Sequence, residues 1–153
     1  MNEYRIEKVR HPAAVALTNG RLLEGDMFLQ RFAQFRAGPE QPLDVLNNND
    51  PFLPMMLSSG DVRLLQKSQI TMVATALPAL EDGVVTTVPG MHIELTLSDD
   101  TSLEGSVFPE LRSDHPRLVD FLNCMTSRFF PVFGTEQLLL VSYAHIVSAR
   151  PVY

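Results

Sequence analysis

The side chains best suited to move a proton or hold a metal near neutral pH are His11, His92, His115 and His145. No two of them stand four residues apart on a helical face, and no cysteine cluster accompanies them, so no metal site is expected. The run Arg112-Ser113-Asp114-His115-Pro116-Arg117 gathers a serine, an aspartate and a histidine. Neighbours in sequence rarely point at one another, and nucleophilic triads come from distant segments. The run therefore reads as a polar loop, and a hydrolase built on Asp114 and His115 is the weakest reading. It also lacks the D-x-S-x-x-G pattern and the spaced arginine pair of cyclic-dinucleotide-binding PilZ domains. His145 precedes Ile146 in an apolar strand and should face solvent. No glycine loop for phosphates and no G-x-S-x-G elbow is present. No catalytic residue and no cofactor are expected. Cys124, the only cysteine, excludes an intrachain disulfide and reads as a small buried hydrophobe.

Two apolar groups remain. Phe28, Phe32 and Phe35 lie in FLQRFAQFR with Arg31 interleaved, in a stretch expected to be loop-like. Aromatics among arginines can stack single-stranded bases or cover a neighbouring subunit, and on an acidic chain the interface is favoured. Met55 and Met56 beside Phe52 and Leu53 read as core, with an interface patch as the alternative.

These side chains sit in a chain of 153 residues, 45% hydrophobic and 20% charged, which can bury a core without staples. Net charge is -6, and the 12 basic residues are thinly spread, which disfavours binding nucleic acid by phosphate attraction alone. From Met91 onward there are 4 basic and 8 acidic residues, against 8 and 10 before it, so the two halves present different faces. No run of ~18 apolar residues offers a membrane span. The first residues lack a secretory apolar stretch, and a lone cysteine fits a reducing cytoplasm.

The elements come in two sets. VALTNGRLLEGDMF (residues 15–28) answers IELTLSDDTSLEGSVF (residues 93–108). Asp44-Val45-Leu46-Asn47 answers Asp120-Phe121-Leu122-Asn123, Phe52-Leu53-Pro54 answers Phe129-Phe130-Pro131, and apolar runs end at Ile70 and Ile146. Four blocks in one order indicate a tandem duplication, with repeats at residues 11–76 and 90–151 and a linker at 77–89. Alternating apolar residues before Asn19-Gly20 and Asp99-Asp100 predict hairpins. Gly25 and Gly105 inside the second strands predict a bend or a close backbone approach. Pro42 to Asn47 and Pro116 to Asn123 each predict one helical turn closed by its asparagine. Each unit reads as about five short strands, an all-β architecture.

The V-x-L-x-N-G-R-x-L-x-G run from Val15 to Gly25 resembles the start of the first Sm motif. The order Leu-x-Gly, Asp-x-Leu-Asn, Phe-x-Pro and a closing isoleucine also resembles an uncharacterised family of small bacterial Sm-like proteins. The resemblance covers nearly the whole chain, taken twice. It implies two tandem, strongly bent five-stranded Sm-like barrels, each with a short helical turn, and association of edge strands into a ring or other homo-oligomer. Uncovered edges are an association hazard on physical grounds as well. Sm proteins read uridine-rich RNA with an Asp and an Asn in one loop and an Arg-Gly pair in the last hairpin. Asp44 with Asn47 and Asp120 with Asn123 are similar to the first pair, at a spacing of three residues instead of four. Gln66-Lys67-Ser68 and Ser142-Tyr143-Ala144 stand at the Arg-Gly position, without an arginine. The expectation is a non-enzymatic scaffold or adaptor that self-associates and binds a protein partner. The alternative is a single-stranded RNA-binding ring using Asp44, Asn47, Lys67, Asp120, Asn123 and Tyr143.

Overall fold

The computed structural model describes residues 8–31, 33, 38–77, 90–109 and 117–153. Phe32, Phe35, residues 112–116 and nearly all of the expected linker lie outside them.

The first set of elements is β1 (Lys8–Leu17), β2 (Leu22–Gln30), α1 (Pro42–Asn47), β3 (Phe52–Leu57), β4 (Val62–Gln66) and β5 (Ile70–Ala76). The second is β6 (Met91–Leu97), β7 (Ser102–Val107), α2 (Leu118–Asn123), β8 (Phe129–Phe133), β9 (Gln137–Ser142) and β10 (Ile146–Pro151). One 3-10 turn, Lys67–Gln69, joins β4 to β5, and another, Tyr143–His145, joins β9 to β10. The protein is all-β: among the described residues ten antiparallel strands form one open sheet in the order β10-β6-β7-β8-β9-β5-β1-β2-β3-β4. The same element order and the same neighbour order occur in both halves. Where the sequence leads one to expect two bent barrels, the described strands hydrogen-bond as a single sheet through β5 and β9.

Period-2 patterning explains the strands. In β6, Ile93, Leu95 and Leu97 are buried while Glu94 and Thr96 between them are half-exposed. The hairpin turns carry positive φ at Gly20 (87°) and Asp100 (66°), and Asn19 and Asp99 close them by accepting the N–H of the residue two further on. Gly25 and Gly105 mark close approach. A Cβ at Gly25 would collide with the Met56 carbonyl, and one at Gly105 would lie 2.6 Å from Val132 Cγ1 and 2.8 Å from the Phe133 oxygen. These glycines let β3 and β8 cross tightly over β2 and β7.

Two buried clusters fill the interior. The first takes Val15, Met27, Leu46, Leu53, Met55, Ile70 and Val73 from the first half, and also Phe129 and Leu140 from the second. The second cluster takes Ile93, Leu95, Leu97, Phe130, Val132 and Val141, with Met72 of β5 against its side. The halves thus share their cores across the β5–β9 joint.

Three expectations are corrected. Cys124 is exposed, because it follows α2 at the C-cap and not in a strand. Phe28 lies in β2 and not in a loop, since β1–β2 pairing continues to Gln30. His145 belongs to a 3-10 turn and not to a strand, and it is half-buried with both ring nitrogens near partners where a solvated side chain is expected.

Candidate functional site

The candidate site is an interaction site: the joint where β5 meets β9, together with the two sheet edges that resemble its halves. At the joint Val73 stands opposite Leu140 and Ala74 opposite Leu139 in antiparallel register. The run Leu138-Leu139-Leu140-Val141 is continuously apolar because β9 sits between β8 and β5 and both of its faces meet a core. Fully burying Phe129 and Leu140 contributes about 1.5–3 kcal/mol each.

Asn47 clasps the joint. Its Nδ2 donates to the Phe129 carbonyl at 3.0 Å, and its Oδ1 accepts the Phe129 N–H at 2.8 Å. The side-chain amide so acts as an added peptide group at the start of β8. Asn47 is thus no helix cap, as the sequence leads one to expect, but a link across 82 residues.

Lys67 is buried, and its Nζ donates to the Val45 carbonyl and to Asn48 Oδ1, both at 2.6 Å. Burial holds its amine below the usual lysine range; the Asp50 carboxylate opposes that shift and the Arg128 cation adds to it. A cation at a helix C-terminus meets unpaired carbonyls and the negative dipole end. Tyr143 does the corresponding work in the second half, donating its hydroxyl to the Leu122 carbonyl at 2.7 Å. Asp44 accepts the Gln41 N–H at the start of α1. Asp120 forms a two-point pair with Arg117, 2.9 and 3.2 Å, which holds its carboxyl below the usual carboxylate range.

Further links cross the joint. His145 Nε2 lies 2.6 Å from the Ser68 carbonyl and Nδ1 2.9 Å from Ser98 Oγ, a geometry that fits the Nε2–H tautomer. Thr71, the extra residue of a bulge in the β1–β5 pairing, donates to the Ala16 carbonyl at 3.2 Å and lies 3.4 Å from Asp99 Oδ2. Sequence reasoning missed Thr71, Phe129 and Leu140. The legible signal was the unbroken apolar run in β9, which asks for burial on both faces.

Of the other residues named from sequence, Met55 is fully buried in the first cluster, Met56 and Phe28 are half-buried, and Arg31 is exposed. Asn123 is exposed. Among the described residues no three His, Cys, Asp or Glu side chains converge as metal ligands, and no helix is long and apolar enough to cross a membrane. No protein-family model, no curated protein and no solved structure matches the chain.

Proposed function

We propose that the protein is a duplicated Sm-like scaffold or adaptor, not an enzyme, which self-associates through its sheet edges and holds a protein partner on the assembly. The observation that carries this reading is the open sheet. Among the described residues β4 and β10 have a strand neighbour on one side alone, and exposed apolar residues, Val62, Leu64 and Val147, stand along them. Unpaired N–H and C=O groups beside apolar side chains are a template for another strand. The twice-repeated neighbour order supports descent from one duplicated unit, and with it the repeats at 11–76 and 90–151.

The RNA-reading alternative has less support. Asp44, Asn47, Lys67 and Tyr143 are engaged in contacts within the chain, at helix ends and across the joint. Net charge of -6 gives phosphate no general attraction.

Multi-angle light scattering of the full chain over a hundredfold dilution tests the proposal. A mass of several times 17.1 kDa that falls on dilution is expected. A single-chain mass at every concentration would refute self-association.

A further inference from the structure

The ends of the sheet are related to its middle, position by position. By element order, β10 stands where β5 does and β4 where β9 does; likewise Phe52 matches Phe129, Leu64 matches Leu140, and Asn123 matches Asn47. Yet their environments are opposite. Phe129 and Leu140 are 2% and 1% exposed, whereas Phe52 and Leu64 are 48% and 66% exposed. The receiving sides differ in the same sense. Under the first helix Pro42, Val45 and Leu46 are buried, while α2 buries none of its residues. Leu118, Phe121 and Met125 are only partly covered by the second cluster. The first core is complete because the second half lends it two side chains. Among the described residues the second core has no such lender.

We infer that a second copy of this chain is the lender: Phe52 and Leu64 of one copy seat beneath α2 of the next, and β4 pairs with β10 in head-to-tail fashion. This rests on the self-association proposed above and specifies its surfaces. Carrying over the register in which Val73 faces Leu140 places Ala149 opposite Leu64 of the neighbouring copy. Asn123, exposed at the end of α2, then takes both backbone groups of Phe52, as Asn47 takes those of Phe129. The bulge recurs too. Val147 is the extra residue in the β6–β10 pairing and is 67% exposed, whereas its counterpart Thr71 is fully buried beside the Asp99 turn. The Asn19-Gly20 turn of the neighbouring copy is the matching cover.

A head-to-tail contact has two different faces, so each can be disabled alone. The lending face is removed by Phe52→Ser with Leu64→Asp, and the receiving face by Asn123→Asp with Val147→Asp; all four side chains are exposed, so the fold is expected to be kept. Each variant alone is expected to be a single chain by light scattering, with the far-ultraviolet circular dichroism of the unaltered protein. Mixed in equal amounts, they should give a complex of two chains and no larger one, because one intact face of each kind remains. If the unaltered protein assembles but the mixture gives no two-chain complex, the head-to-tail seam is wrong while self-association stands. If the unaltered protein is a single chain throughout, both fall. The single variants Leu64→Asp and Val147→Asp repeat the mixing should a double variant unfold.

Discussion

Lys67 shows how far a charged side chain can be drawn into a core when its donors are used. Its amine closes the end of α1 through two oxygens, and burial weakens its hold on a proton. The sign follows directly. The folded value lies below the ordinary 10.5, so the unfolded chain binds more protons in the interval between the two values. Stability therefore rises with pH across that interval and is flat below it. Lys67→Met should remove the rise and, by leaving the Val45 carbonyl without its donor, cost about 1–3 kcal/mol at neutral pH. Urea unfolding of both proteins at stepped alkaline pH checks this; parallel pH profiles would rule out the linkage. Neither Lys67 nor Asn47 announced its role in sequence, where Lys67 reads as a candidate for RNA contact and Asn47 as the close of a helical turn. What decides both roles is an oxygen or a backbone edge supplied by a distant segment.

Elements were far more legible than contacts. Strict alternation in β6, the Asn19-Gly20 turn, and the proline-started helical turn at Pro42 are local features, and the structure places strands, hairpin and helix there. The glycines of β2 and β7 were legible as well, because a glycine inside an apolar strand needs a steric reason. Gly25→Ala and Gly105→Ala should each cost about 1–3 kcal/mol or more, since the clash at Gly25 is with backbone that cannot rotate away. Thermal unfolding that is unchanged in either variant would count against the tight crossing. By contrast, nothing local told β5 to pair with β9. Strand partners far apart in sequence are chosen by matching apolar faces, and the linker between the halves carries no trace of that choice.

At the scale of the whole molecule, the inner joint and the proposed outer seam differ in the residues they set opposite each other. Opposite each other at the inner one are Ala74 and Leu139, and then Thr75 and Leu138. In the proposed outer seam the corresponding pairs would be Arg150 with Arg63, and Pro151 with Val62. Val152 N–H points toward β6, so Pro151 faces the free side, where it has no N–H to give. Arg150 is already paired with Glu94 at 2.8 Å. In the proposed seam, two guanidinium groups side by side and one missing donor would keep the pairing reversible, a common protection for an edge strand. Replacing Arg63→Leu and Pro151→Thr together restores the inner-seam chemistry. Sedimentation should then show interchain affinity tightened by roughly fivefold or more, on the scale of one recovered hydrogen bond. Unchanged or weaker assembly would mean that β4 and β10 do not meet in this register.

The β5–β9 joint also sets an arithmetic of assembly. Because one chain already contains two units in contact, every second joint in a closed assembly forms without a collision between molecules, at the effective concentration of a tethered partner. Closed assemblies of intact chains hold an even number of five-stranded units, and odd-numbered circles are inaccessible to them. Two units in one chain would thus fix a parity for the proposed assembly, halve the encounters needed for closure, and leave two unlike faces through which its growth would pass.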